Sequence, residues 1–398
     1  MTSRPRQGTT VIACLFLVLF LGVADSQVIS PLLPGIRSQF SKTSAELGLL
    51  FTGYSLAAGL SVLFWGPLSD LFGCKNGLLT GLLIFGAGSS VSSLSPDFAV
   101  LLLGRVVTGM GASMLSLNSI TYAAGFFPYR SRGWAMGSIV SSYFAALILG
   151  VPAGSWAGDH LGWHAVFGMA AILSLALVVP VSAFLPPLGK AARGQGNEGM
   201  PLFSAQAKAY GQFLRGKETA GALCASFFAS GGAMGFLAFL GVWLHDAFGV
   251  SGREIGLVFL ASGCAALLAS PVAGAVSDRI GKRLQFILSS GTFAFLLLSL
   301  PRLQWGPSLF VAFGAVSMAA AFRQGPMEAL VTELVPGESR GSYIALRNAF
   351  SQLGIALAAS VSGILFQNWG YVAVCWLGCG ANLMAAGLML IAVRRKGL

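Results

Sequence analysis

Long apolar runs separated by short polar breaks dominate this chain. Crossing a bilayer core as a helix takes ~20 mostly apolar residues. Such runs recur near 10–34, 46–69, 76–95, 98–123, 133–158, 162–185, 218–245, 254–276, 284–301, 307–333, 341–366 and 370–393. They predict an all-α membrane protein of twelve transmembrane helices, because a helix satisfies its own backbone groups in lipid. The longest polar stretch, 186–217, opens with Pro186-Pro187, carries Gly194, Gly196 and Gly199, and holds five Lys/Arg. It reads as a linker between an N-terminal bundle (1–185) and a C-terminal bundle (218–398), with a short amphipathic helix around 203–215.

The two bundles are copies of one unit. Gly66-Pro-Leu-Ser-Asp70-Leu-Phe-Gly73 recurs 208 positions later as Gly274-Ala-Val-Ser-Asp278-Arg-Ile-Gly281. At the same offset Pro128-Tyr-Arg-Ser-Arg132-Gly133 becomes Pro336-Gly-Glu-Ser-Arg340-Gly341, and Gly162-Trp-His-Ala-Val166 becomes Gly370-Tyr-Val-Ala-Val374. Three matches without a gap predict pseudo-symmetric six-helix halves, the plan of alternating-access transporters with a site between halves.

Composition and charge narrow the class. Only 9% of residues are charged and 55% are apolar, against the ~25% charged of soluble domains. The net charge of +11 does not point to nucleic acid. With both ends cytoplasmic, the cytoplasmic segments collect 17 Lys/Arg and the outer loops four. That bias is the positive-inside rule, and it predicts a multi-pass protein of the cell (inner) membrane with both termini inside. Residues 1–24 have the look of a signal peptide, but the run continues past Asp25 to Pro34 and eleven more follow, so retention is expected. The six cysteines lack metal-ligand spacing, and five lie in apolar runs. Asp159-His160 and His164 have helical ligand spacing, but Gly162 interrupts them, and no metal is expected.

These motifs resemble the major facilitator superfamily over essentially the full length. Its loop motif, G-x-L-x-D-R-x-G-R-[KR], is matched by Gly66, Leu68, Asp70, Gly73 and Lys75, with Leu71 and Cys74 replacing arginines. The second copy keeps Gly274, Asp278, Arg279, Gly281, Lys282 and Arg283. Arg105, Gly109 and Gly111 match the fourth-helix pattern R-x-x-x-G-x-G. Gly150-Val-Pro152-Ala-Gly154, followed by Gly162-Trp163-His164, looks like a variant antiporter motif of the proton-coupled drug and sugar efflux branch, where Arg usually follows the Trp. The resemblance implies that Asp70 and Asp278, with Arg132 and Arg340, latch the cytoplasmic side shut in the outward-facing state. Gly150, Pro152 and Gly154 join them as gating positions.

Some residues carry chemistry within the apolar runs. Asp25 lies deep in the first, where a charge costs ~2.5–3.5 kcal/mol and is rarely idle. It is a candidate proton carrier, with Glu328 the second; the alternative is a structural carboxylate held by Arg105, Ser26 or Gln27. One proton crossing 100 mV delivers ~2.3 kcal/mol. Arg105 heads a stripe of Thr108, Ala112, Ser116 and Ser119 that should face a wet cavity, with Asn118 and Tyr122 nearby. It binds substrate, Asp25, or both. Arg323-Gln-Gly-Pro326-Met-Glu328 interrupts the tenth run, so a kink is expected. Arg347, Asn348 and Gln352 lie in the eleventh, with Arg347 facing either Glu328, Glu333 or substrate. The expected binding set is thus Gln27, Arg105, Asn118, Tyr122, Arg323, Arg347, Asn348 and Gln352.

No Gly-Lys-Ser/Thr phosphate loop occurs, so a proton gradient, with no cofactor, is the expected energy source. A membrane enzyme would want clustered catalytic groups, and a receptor a sizeable soluble domain; neither is present in the sequence. The reading is a secondary transporter exporting a small organic solute against protons, with nothing demanding more than a monomer. The rival is an uptake or exchange carrier for an organic anion, which three intramembrane arginines would suit if unpaired.

Overall fold

A computed structural model describes residues 4–188, 202–336 and 339–393, apart from the side chains at 4–6, 66–71, 129–130, 202–205 and 331–332. No strand occurs among them. The first half holds α1 (Arg4–Phe40), α2 (Ser44–Phe72), α3 (Cys74–Ser93), α4 (Phe98–Phe126), α5 (pieces from Tyr129–Val140 to Val151–Leu161) and α6 (Trp163–Phe184). A linker helix, Leu202–Arg215, precedes α7 (Lys217–Ala238 and Leu240–Phe248), α8 (Gly252–Ile280), α9 (Lys282–Ser299) and α10 (Pro307–Glu333). The helical run Arg340–Ala392 turns back at Gly370, whose φ of 70° suits glycine, giving α11 (340–369) and α12 (371–392).

Nine runs among the described residues are long and apolar enough to cross a membrane. Splitting the last at Gly370 and adding α3 and α10 gives the twelve expected. Those two are diluted, α3 by glycine and serine and α10 by Arg323, Gln324 and Glu328. α1 runs on past its expected end, through Pro31 and Pro34, to Phe40.

Proline leaves a backbone carbonyl without its helical donor in two helices, and each is accommodated differently. In α5 the segment Ala146–Gly150 is π-helical, with Val151 N–H bonding back to Ala146 O. Pro152 lacks the N–H that would satisfy Ile148, and the wider turn accommodates that loss. α10 is helical on both sides of Pro326, within Pro307–Glu333. The Phe322 carbonyl that Pro326 deprives of a partner instead accepts from Gln285 Nε2 of α9 at 3.0 Å.

The halves meet where α2 crosses α11 and α5 crosses α8. Glycine permits both crossings: a Cβ on Gly48 would lie 2.9 Å from Ala359 O, and one on Gly256 would lie 3.0 Å from Pro152 Cα. These glycines are 208 positions apart, so the duplication extends to the contact between halves. On the face away from the chain ends (the far face), Thr52 Oγ1 meets Ser360 Oγ at 2.7 Å, Ser30 donates to Leu237 O at 2.8 Å, and Arg37 pairs with Asp246 at 2.7 Å. One apolar cluster there joins both halves, through Leu33, Phe51, Phe239 and Val258. On the terminal face the buried apolar clusters are separate, one per half. The end of α8 there leaves Val272, Gly274, Ala275, Asp278, Arg279 and Ile280 exposed. The molecule is closed at its far face and parted between α5 and α8 at its terminal face.

Candidate functional site

Between the halves lies a cavity of about 220 Å³. The first half contributes Gly22, Ser26 and Gln27 from α1, Phe51, Tyr54 and Ser55 from α2, Arg105, Ser113 and Ser116 from α4, and Tyr143 from α5. The second contributes Met234 from α7 and Gln352 and Ile355 from α11. Apolar walls with a few polar groups are what small-molecule sites require.

One buried ion pair borders it. Arg105 Nη1 donates to Asp25 Oδ2 at 2.8 Å, with Asp25 4% and Arg105 1% exposed. The guanidinium lies over the Tyr54 ring at 4.6 Å and near Phe167 at 5.4 Å, so its faces are covered by π-systems. The helices can approach this closely only because of glycine: a Cβ on Gly109 would lie 2.3 Å from Tyr54 O. Asp25 Oδ1 and Arg105 Nε have no hydrogen-bond partner among the described residues. The pair carries no net charge, and among the described residues it keeps a buried acceptor on Asp25 Oδ1 and a buried donor on Arg105 Nε unsatisfied.

Gln27 spans the halves, its Nε2 3.9 Å from Met234 Sδ, while its Oε1 lacks a partner among the described residues. Gln352 faces the same space from the other half, packed against Gly59. Ala112 and Ser116 of the α4 stripe line the cavity, but Thr108 and Ser119 do not. Thr108 turns toward α3, bonding Gly104 O beside Gly88.

Several expected pocket residues lie elsewhere. Asn118 bonds Met114 O and packs on Gly77 of α3, inside the first half. Tyr122 is fully buried and donates to Pro186 O at 2.7 Å, tying α4 to the start of the linker. Arg323 bonds Asn382 Oδ1 and lies 4.8 Å from the Phe293 ring, inside the second half. Arg347 chooses Glu328 at 2.5 Å and Asn348 Oδ1 at 2.7 Å, while Glu333 takes Lys282. The Glu328 side chain remains 46% exposed. None of these residues lines the cavity. In each case the polar group meets a partner on its own helix, a neighbouring helix or, for Tyr122, the linker, a choice invisible in a helix-by-helix reading.

Of the gating positions, the Asp70 side chain lies outside the described residues. Asp278 and Arg340 are exposed, with no ion pair among the described residues, and Arg132 Nε bonds Phe127 O at 3.4 Å. The fifth-helix glycines pack on α1: Cβ atoms on Gly150 and Gly154 would lie 2.7 Å from Ala24 Cβ and 2.5 Å from Val28 Cγ2. Pro152 faces Gly256 of α8. Tyr54, Tyr143, Phe51 and Met234 escaped the sequence reading, which had no means of telling a cavity-facing aromatic or thioether from one in the core.

The family model described as Major Facilitator Superfamily matches residues 15–240 and 222–397. The "Uncharacterized MFS-type transporter YwfA" of Bacillus subtilis (strain 168) is 28% identical over 395 residues, covering 96% of this chain and 93% of that protein. "Azole resistance protein 1" of Saccharomyces cerevisiae is 31% identical over 153 residues, only 38% of this chain and 25% of that protein. The crystal structure of a D-xylose-proton symporter superposes with a TM-score of 0.77 at 18% identity, covering 97% of this chain and 98% of the other. With the duplicated halves, the cavity between them and the matched model spanning both, the chain belongs to the major facilitator superfamily and is a membrane transporter.

Proposed function

We propose that this chain is a proton-coupled exporter of a small organic solute, uncharged or cationic, working by alternating access with its terminal face in the cytoplasm. The carrying observation is the neutral Asp25–Arg105 pair beside a cavity walled by both halves. A proton on Asp25 would dissolve that pair and free Arg105 to move, which links protonation to the shape of the cavity. Glu328, partly exposed in its pair with Arg347, is the second proton site in this reading. Export is supported by the fifth-helix glycines at the α1 contact and Pro152 at the α8 contact, and by the partial likeness to an azole resistance protein. The anion-carrier rival needs unpaired arginines, and two of the three face carboxylates.

The test is proton release from purified protein in weakly buffered detergent on adding a panel of neutral, cationic and anionic solutes. Release with a neutral or cationic solute, lost in Asp25→Asn, is the expected result. Release that survives Asp25→Asn moves the proton to Glu328. Binding of anions alone, without release, overturns the proposal in favour of the rival.

A further inference from the structure

The far face carries two helix-cap clamps related by the duplication. At the start of α8, Ser251 and Glu254 form a capping box, with Ser251 N 2.8 Å from Glu254 Oε2. At the start of α2, Thr43 and Glu46 do the same, with Thr43 N 2.9 Å from Glu46 Oε2. Each box leaves further amide N–H groups of the first turn open. A side chain from the other half takes two of them in α8 and one in α2. Asp159, at the end of α5, accepts from Gly252 N at 3.1 Å and Arg253 N at 2.7 Å. Gln367, at the end of α11, accepts from Ala45 N at 3.3 Å. Asp159 and Gln367 are 208 positions apart, as are Ala45 and Arg253, and Thr43 and Ser251.

Gly252 has a specific part in this. A Cβ there would lie 2.5 Å from Asp159 Oδ1, so only glycine leaves room for the carboxylate on the amides. One clamp thus sets a full charge on the positive end of α8, and the other sets a neutral amide on the equivalent end of α2.

We infer that Asp159 and Gln367 are paired positioning residues that hold the far face shut, each gripping the amino terminus of a helix in the opposite half. Both grips must break before the far face opens, so their strength sets the balance between the two states of the cycle. The inference rests on alternating access but on neither the substrate nor the proton, and its test uses neither.

The readout is disulfide formation in Thr52→Cys/Ser360→Cys, whose native hydroxyl oxygens lie 2.7 Å apart across the closed far face. Cross-linking with copper phenanthroline reports the closed fraction, with the same chain lacking the pair as the background for its six native cysteines. Asp159→Asn removes the charge and Gly252→Ala displaces it; each should slow cross-linking roughly 2- to 5-fold, the range expected for an exposed charge on a helix terminus. Gln367→Glu charges the second clamp and should restore much of the rate in Asp159→Asn, although the two sites grip different helices. A merely local role for Asp159 predicts no such rescue. Unchanged cross-linking in both single variants, or loss in Asp159→Asn that Gln367→Glu leaves uncorrected, overturns the inference. If Asp159→Asn fails to fold, Gly252→Ala with and without Gln367→Glu decides.

Discussion

Removing one member of the Asp25–Arg105 pair should cost far more than removing both. Both side chains are almost wholly inaccessible, and their hydrogen bond is 2.8 Å long. Deleting one partner of a buried pair strands the other charge and costs ~3–5 kcal/mol, whereas an apolar replacement of both is often neutral. The two single losses should differ. A stranded carboxyl group can escape by taking a proton, but a guanidinium has no such route. Tyr54 and Phe167 shelter the Arg105 faces and leave its edge wanting an acceptor. Asp25→Leu should therefore be the worse single change, Arg105→Met the milder, and Asp25→Leu/Arg105→Met more stable than either. If each half melts as a unit, a loss of ~3–5 kcal/mol lowers the midpoint by roughly 6–20 °C. The assay is thermal unfolding of detergent-purified protein, followed by tryptophan fluorescence at one scan rate. A double variant as unstable as the worse single would refute the reasoning, because the pair would then not act as a unit. Its transport should stay abolished even where stability recovers, which separates the structural from the functional part of the pair.

Other consequences are local. Gln285→Leu leaves the Phe322 carbonyl without its donor, a loss of ~1–3 kcal/mol. Adding Pro326→Ala supplies the missing backbone N–H and should recover much of it in the same unfolding assay. Gly109→Ala drives a methyl into the Tyr54 carbonyl, parting α2 from α4 for ~1–3 kcal/mol and lowering transport in vesicles; wild-type stability would show that the contact yields freely. Gln352→Ala, at the cavity but in no ion pair, should raise KM for the transported solute several-fold with a smaller effect on kcat; a pure kcat loss would move Gln352 out of the binding set. Asp70→Asn and Asp278→Asn should slow vesicle transport while leaving the melting midpoint in place, and unchanged transport in both would remove the terminal-face latch.

The twelve-helix plan was legible because lipid imposes it: length, apolarity and the 208-residue repeat are properties of the chain alone. Asp25 and Arg105 were legible for a related reason, since a charge inside an apolar run demands an explanation wherever it points. Facing was the weak point. Asn118 and Tyr122 share α4 with Arg105, yet one turns to a glycine on α3 and the other to the linker. The period of a helix orders its side chains around the axis, but neighbours decide which sector is wet. The rescue of the Phe322 carbonyl by Gln285 was not legible, because it depends on a donor from another helix. The clamps at Asp159 and Gln367 were within reach, since the offset that revealed the loop motif also aligns Thr43-x-x-Glu46 with Ser251-x-x-Glu254.

Where the duplication survives and where it has been lost separates two kinds of work. The crossing glycines, Gly48 and Gly256, and the capping boxes hold their register across 208 positions. The cavity does not: the counterparts of Asp25, Gln27 and Arg105 are Ala233, Gly235 and Phe313, and that of Gln352 is Phe144. Opening and closing involve both halves equally, so a gate works best with matched parts on each side of the pseudo-axis. Binding has no such requirement, because one solute sits off-centre and needs each polar group once. A second buried ion pair at Ala233 and Phe313 would add another desolvation cost while offering the solute nothing the first does not. The apolar counterparts in the second half are what one buried ion pair, set to one side of the cavity, would leave behind.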